Sequence, residues 1–143
     1  MLARRAVLGV YIKAWDTQDP DLIVTIFTPA ATYHERVLQD PIPDREAIHR
    51  YWQTKVVQSQ ANITCKLLSL YLDGNTVIAE WEAEFDDLAK GERKRMLEIA
   101  VLTFEGQLIS SLREYLASAP RDHRPVRSAE RLGRVAGCGA KRA

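Results

Sequence analysis

Apolar residues recur at helical spacing in the first third of the chain and predict three helices there. The first helix has one apolar face, formed by Val7, Val10, Tyr11, Ala14 and Trp15. Asp19 is placed to cap a second helix, with Pro20 at its first position, and the apolar spacing carries this helix through Phe27 to a stop at Thr28 and Pro29. Asp44 is placed to cap a third helix, whose apolar stripe consists of Ile48, Trp52 and Val56.

After residue 61 the apolar period changes to two, which predicts strands. We expect strands at 62–72, 76–86, 93–104 and 108–116, and an earlier strand at 31–37. Helices followed by a meander of strands predict an α+β domain, in which helices lie on one face of a curved antiparallel sheet.

Opposite charges predict how the two central strands pair. Glu84 is expected to face Arg93 across the strands, and Glu82 is expected to face Arg95. In this register Glu98 lies on the inner face of the sheet.

The outer face of the sheet is apolar as well, because this register turns Ile99 and Val101 outward. An apolar outer face needs a cover of its own. We therefore predict a homodimer formed through the outer sheet face.

Charge divides the 143 residues into two parts, although the whole chain carries a net charge of only +1. Residues 1–117 are mildly acidic and form the predicted domain, whereas residues 118–143 are basic and poor in apolar residues, which predicts a disordered tail. The tail has no aromatic residue for stacking on bases, so nucleic-acid binding is not expected.

Composition also indicates the compartment. No apolar run approaches the ~20 residues that a membrane helix needs. The two cysteines, Cys65 and Cys138, form no motif, and reduced thiols are typical of the cytoplasm, so we predict a cytoplasmic protein that does not enter a membrane.

No motif points to a bound cofactor or metal ion. The seven glycines are scattered singly, so no glycine-rich phosphate loop is present. His34, His49 and His123 lack the spacing of metal ligands. We therefore predict a protein that uses neither a cofactor nor a metal.

Four short patterns, in this order along residues 3–117, resemble the SnoaL-like branch of the nuclear transport factor 2-like superfamily. They are AW-x3-DPD-x-I-x2-IFTP-x-A-x-Y near the start, I-x2-YW in the third helix, EW-x-A in a central strand and LREY in the last strand. The resemblance implies a cone-shaped curved antiparallel sheet with three helices packed on its concave face, enclosing a pocket. It does not specify a reaction, because this fold hosts isomerases, cyclases, hydrolases, dehydratases and proteins without catalysis.

Comparison with the ketosteroid isomerases of this superfamily identifies two candidate catalytic residues. Those enzymes combine a tyrosine, a carboxylate base and a protonated aspartate. Tyr11 stands at the tyrosine's place and Glu35 at the base's place, but Ala100 stands where the aspartate would be. Losing one such donor typically costs ~2.7–4 kcal/mol of transition-state stabilisation, so we predict that the chain is not a steroid isomerase.

Glu35 is the leading candidate for acid or base chemistry. Residues 33 and 35 share a face of a strand, so Tyr33 and Glu35 are expected to point into the cone together. A carboxylate under apolar walls suits proton transfer near neutral pH. The alternative is a structural acid paired with Arg45, Arg113 or a tyrosine hydroxyl.

Glu114 is the second candidate, because the resemblance places it with Leu112 on the pocket side of the last strand. The alternative is an exposed carboxylate at the rim. Glu98 is a further inward acid if the register above holds. The tryptophans are expected either to line the pocket or to pack in the core; they are Trp15, Trp52 and Trp81.

These residues leave three functions open. The first is a cofactor-independent acid/base enzyme of the isomerase, cyclase or hydratase type, acting on a small hydrophobic molecule in the cone. The second is a non-catalytic binder, for which we expect a wider and nearly apolar pocket. The third is a dimeric interaction module of the same fold.

Overall fold

The computed structural model describes residues 2–121, which form three helices and a five-stranded sheet. In chain order the elements are α1 (Leu2–Asp16), α2 (Pro20–Val24), β1 (Phe27–His34), α3 (Arg45–Trp52), β2 (Gln60–Asp73), β3 (Thr76–Asp87), β4 (Glu92–Glu105) and β5 (Leu108–Pro120). A π-helical turn, Gln53–Val57, continues α3.

The sheet has the strand order β1-β5-β4-β3-β2 and forms an open, curved cone under the helices. Strands β2 to β5 are a continuous antiparallel meander, as the change of apolar period predicted. Strand β1 adds to β5 in parallel, so the sheet is mixed. The parallel pair arises because the long stretch between β1 and β5 returns the chain to the same end of the sheet.

Aromatic packing joins the helices to the concave face of the sheet. The Tyr11 ring of α1 stacks on Trp81 of β3, with ring centroids 4.7 Å apart, and meets the edge of Trp52 at 5.7 Å. All three side chains are almost completely buried. Aromatic pairs in such geometries contribute about 0.5–1.5 kcal/mol beyond their buried area, so they anchor α1 and α3 over the sheet.

The end of α1 also fixes the position of the π-helical turn. Gln18 adopts a left-handed conformation (φ 52°), and the amides of Gln18 and Asp19 bond back to Trp15 and Ala14 in a Schellman motif. Gln18 then donates from Nε2 to the carbonyls of Val56 (2.8 Å) and Gln60 (2.7 Å). A residue in a costly conformation therefore ties the first helix to the segment that follows the third.

The predicted second helix is too long. Helix α2 ends at Val24, and Phe27 begins β1, where it pairs with Ile109 of β5. The apolar residues after Val24 are buried by strand pairing instead of helix packing, so tertiary contact overrides the helical spacing. Pro29 lies inside β1, at an irregularity of the pairing, because an edge strand tolerates a residue without an amide hydrogen.

The predicted register of the central strands is wrong by two residues, although the faces are right. Glu84 pairs with Arg95, and Trp81 pairs with Glu98. Arg95 still reaches Glu82, its expected partner, along the strand at 2.6 Å. A shift of two residues keeps every side chain on its predicted face, so Glu98 is buried on the concave side and Ile99 is exposed on the outer side.

The last strand continues beyond the predicted domain boundary at residue 117. Residues of β5 up to Pro120 pair with β4, so the boundary falls inside a strand. The rest of the predicted tail, from residue 122 onward, lies outside the described residues. Among residues 2–121, no helix has both the length and the apolar character needed to cross a membrane.

The Asp44 cap offers a test of how α3 is held. Its side chain accepts a hydrogen bond from the amide of Ala47 at 2.8 Å. We expect Asp44→Ala to lower the free energy of unfolding by about 1 kcal/mol, because one partly buried amide at the start of α3 loses its partner. Urea unfolding would measure the change. Asp40→Ala, an exposed substitution in the same loop, is the matched control and should have no effect; equal stability of the two variants would contradict the role of the cap.

Candidate functional site

A cavity of about 120 Å³ opens between α1, α3, the π-helical turn and the concave face of the sheet. Its volume is small compared with the roughly 300–1,000 Å³ of pockets for drug-sized ligands, so it suits a small molecule or one end of a larger molecule. Aromatic and aliphatic side chains form the walls, acids form the floor, and charged residues surround the mouth.

Two tyrosine hydroxyls and one carboxylate meet at the floor. Tyr33 donates a hydrogen bond to Oε1 of Glu114 at 2.5 Å, and the Tyr11 hydroxyl lies 3.0 Å from the same oxygen. The two hydroxyls are 2.8 Å apart. Tyr11 comes from α1, Tyr33 from β1 and Glu114 from β5, so the network joins three elements that are distant in the sequence.

Glu98 stands beside Glu114 on the concave face and completes the floor. In the register of β4 and β5, Glu98 is paired with Leu116 and Glu114 with Ala100, which makes the two acids diagonal neighbours. Trp81 donates its indole N–H to Glu98. Both acids are almost completely buried, with 3% of Glu98 and 6% of Glu114 exposed.

Burial raises the pKa of Glu114 to about 7, because the charged form loses water. Hydrogen bonds from Tyr33, Glu98 and Tyr11 act in the opposite direction by stabilising the carboxylate, and the nearby charge of Glu35 raises the pKa further. A carboxyl group with this pKa exchanges its proton near neutral pH, which is the property required of a general acid or base.

Burial also raises the pKa of Glu98 well above its ordinary value, and the neighbouring charge of Glu114 adds to the effect. Glu98 is therefore the member of the pair that keeps its proton. Its carboxyl group donates a hydrogen bond to Glu114 and accepts the indole hydrogen of Trp81. The pair thus holds at most one negative charge at neutral pH. This charge is on Glu114, next to the two tyrosine hydroxyls.

The mouth of the cavity is lined by paired charges. Glu35 lies just after β1 and forms an ion pair with Arg36 at 3.3 Å. Lys94 of β4 forms an ion pair with Asp87 at 2.9 Å. Lys55, from the π-helical turn, is exposed at the same rim. Glu35 also has a side-chain hydrogen bond with the Tyr51 hydroxyl, so a tyrosine hydroxyl is one of its partners, as the structural alternative expected. Arg36 is the arginine that pairs with Glu35, and Arg45 instead bonds the carbonyl of Phe27.

Seven of the residues predicted for the site line this one cavity. They are Tyr11, Trp15, Tyr33, Glu35, Trp52, Glu98 and Glu114. The idea that Glu114 is an exposed rim carboxylate is wrong, because the strand faces inward at this position and two tyrosines cover it.

Three predicted pocket residues lie behind the cavity wall. Trp81, Ala100 and Leu112 are completely buried and do not line the cavity. The stacked Tyr11 ring fills the deep end of the cone above Trp81, so the open space begins nearer the mouth. Core packing, the alternative left open for Trp81, describes its position, and ligand contact by these three residues stays a prediction.

Sequence reasoning missed Tyr51 and Lys55 as lining residues. Tyr51 follows Ile48 by three positions and precedes Lys55 by four, so helical spacing places all three on one side of α3 and its continuation. The Tyr51 ring lies 5.6 Å from that of Tyr33 and borders the same space as Glu35. Attention to this spacing would have identified both residues.

Within residues 2–121 no group of three metal-binding side chains is assembled. The carboxyl and hydroxyl groups that meet at the floor of the cavity can donate and accept protons.

Comparison with known proteins agrees with the architecture. The model of the SnoaL-like domain matches residues 9–112. A search among curated proteins found no match.

Two solved structures share the fold. The epoxide hydrolase/cyclase-like enzyme SalBIII, described in pyran ring formation in the polyether salinomycin, is 24% identical, with a TM-score of 0.72 over 82% of this chain and 95% of its own. A hypothetical protein with a ketosteroid isomerase-like fold from Catenulispora acidiphila DSM 44928, in complex with trimethylamine, is 21% identical, with a TM-score of 0.68 over 76% and 83%.

At these identities the two structures demonstrate the fold alone. The family model, however, spans most of the chain, from residue 9 to residue 112. The chain therefore belongs to the SnoaL-like domain family of the nuclear transport factor 2-like superfamily.

Proposed function

We propose that the protein is a cofactor-independent acid/base enzyme of the isomerase, cyclase or hydratase type, acting on a small hydrophobic molecule in the cone. The observation that carries this proposal is the buried Glu98–Glu114 pair, bonded to two tyrosines at the floor of a cavity. Glu114 exchanges a proton with the substrate, and hydrogen bonds from Tyr11 and Tyr33 orient the Glu114 carboxyl group. Glu35, at the mouth, is the second acid or base.

The polarity of the floor favours an enzyme over a passive binder. A non-catalytic binder would need a nearly apolar cavity, whereas here two buried acids carry the cost of losing water. Such costs are commonly retained where perturbed pKa values serve catalysis. The description of SalBIII as an epoxide hydrolase/cyclase-like enzyme supports cyclisation or hydration as the reaction class.

The first test is a turnover screen with and without the proposed acid. Small epoxy alcohols, hydroxy-enones and unsaturated ketones cover cyclisation, hydration and isomerisation. For any compound that the protein converts, we expect Glu114→Gln to reduce the rate by about 10²–10⁴-fold, because an amide cannot transfer the proton. Glu105→Gln, an exposed glutamate of β4, is the matched control. Conversion at the original rate by the Glu114 variant would refute the assignment.

The raised pKa of Glu114 also predicts how stability depends on pH. A carboxyl group whose pKa rises from 4.5 to about 7 on folding binds more protons in the folded state within that window. The contribution of Glu114 to the free energy of unfolding is therefore fully present below about pH 4.5 and is lost as the pH rises through 7. The total loss is roughly 3 kcal/mol.

Urea unfolding at several pH values would measure this loss. We expect Glu114→Gln to flatten the fall in stability between about pH 4.5 and 7, since the amide does not titrate. Glu105→Gln should follow the original protein. An unchanged slope in the Glu114 variant would show that this carboxyl group is not the one titrating.

The homodimer through the outer sheet face belongs to the same proposal. On that face Ile78, Ile99 and Tyr115 lie exposed on neighbouring strands. Glu80 and Arg113 flank them, and neither forms an ion pair within residues 2–121, so a two-fold contact would bring the acid of one copy to the base of the other. Location in the cytoplasm stays a prediction from the sequence.

Sedimentation would test the dimer. We expect a mass of about twice 16.2 kDa, falling to one chain mass in Ile99→Glu, because the substitution places a charge at the centre of the apolar face. Leu38→Glu changes an exposed apolar residue outside the sheet and is the control. A monomer at micromolar concentration in the original protein would disprove the arrangement.

A further inference from the structure

The walls of the cavity present aromatic surface more than hydrogen-bonding groups. Six aromatic side chains line it: Tyr11, Trp15, Tyr33, Tyr51, Trp52 and Phe85. The polar ends of several are already occupied by the protein. The Trp15 indole donates to Gln60 at 3.0 Å, and the hydroxyls of Tyr11 and Tyr33 contact Glu114. These rings therefore offer a ligand chiefly their π-surfaces, whose faces carry partial negative charge.

The floor of the cavity, like the ring faces, favours a ligand with a positive charge. A carboxylate on Glu114 is buried, and its negative charge is opposed only by hydrogen bonds from neutral groups. A positive charge close to this carboxylate would stabilise its ionised form and so compensate for the hydration that burial removes. Aromatic faces next to a carboxylate are the surroundings in which proteins bind quaternary ammonium groups.

The cations at the mouth do not oppose this preference. Arg36 is paired with Glu35, and Lys94 is paired with Asp87 and lies 4.0 Å from Glu92. Lys55 is exposed, where solvent and salt screen its charge. The net field within the cavity is therefore set by the floor and the rings.

From this arrangement we infer that the cavity recognises a small alkylammonium group, held between the aromatic walls and the Glu114 carboxylate. The inference rests on the proposed function, because it concerns the same site and specifies the charge of the ligand that binds there. The volume of about 120 Å³ fits a head group of this size, with any remainder of the ligand extending through the mouth.

Ligand charge and protonation are then coupled. Glu114 is faced by Glu98 from β4, Tyr11 from α1, Tyr33 from β1 and, at longer range, Glu35. A bound cation stabilises the ionised form of Glu114, so binding strengthens as the pH rises through the range in which Glu114 loses its proton.

The test compares choline chloride with the neutral alcohol in which carbon replaces the nitrogen, at constant ionic strength. Calorimetry and tryptophan fluorescence report binding without any need for turnover. At about pH 8 we expect choline to bind at least tenfold more tightly than the alcohol, and at about pH 5 we expect most of this preference to be lost. Equal affinity for the two compounds, or no saturable binding of choline, would overturn the inference.

Two variants and one control test which side chains produce the preference for choline. Glu114→Gln should remove the preference for choline at about pH 8, whereas Glu105→Gln should keep it. Tyr51→Leu should weaken choline binding about threefold or more and leave the alcohol less affected, because only the cation uses the ring face. A preference that survives in Glu114→Gln would also overturn the inference.

The outcomes separate this inference from the proposed function. If conversion of a neutral substrate depends on Glu114 while choline has no advantage, only the cation preference fails. If choline binds as expected and no substrate is converted, the enzyme proposal fails and the recognition of a cation stands.

Discussion

The burial of two carboxyl groups on the concave face is the constraint on which the rest of the structure depends. An acid removed from water is costly unless it is neutralised or hydrogen-bonded. Here Glu98 keeps a proton, and Glu114 receives hydrogen bonds from Tyr11 and Tyr33. Because Trp81 also bonds Glu98, the requirement to satisfy these two groups joins α1 and four strands at one point.

The same requirement determines where the cavity is open. Tyr11 must lie deep enough to reach Glu114, and its ring then covers Trp81 and closes the narrow end of the cone. The space left lies between the acids and the mouth, where the π-helical turn is held in place by Gln18. Acids that require burial and rings that require packing thus produce a cavity with a polar floor, aromatic walls and a mouth of paired charges.

Membership of the SnoaL-like family explains the cone but not its chemistry, because function in this fold depends on the side chains placed in it. The resemblance to ketosteroid isomerases places Ala100 at the position of their aspartate, and the sequence therefore predicted that their constellation is incomplete here. The strand register places Glu114 directly opposite Ala100, where it contacts Tyr11. A carboxyl group from the neighbouring strand therefore lies beside the tyrosine, at a position that the family resemblance placed on the pocket side of the last strand.

Local patterns in the sequence determined the helix caps at Asp19 and Asp44, the strand meander and the inward face of each strand, because these depend on neighbours within a few residues. Tertiary structure decided the end of α2, where pairing of Phe27 with Ile109 replaced a helical turn, and the exact register of β3 and β4. It alone decided that Glu98 and Glu114 are hydrogen-bonded neighbours, since strand alternation gives the face of a side chain but not its distance from a side chain on another strand. The sequence thus supplied the candidate inward acids, and only the folded chain buried Glu98 and Glu114 and brought them together.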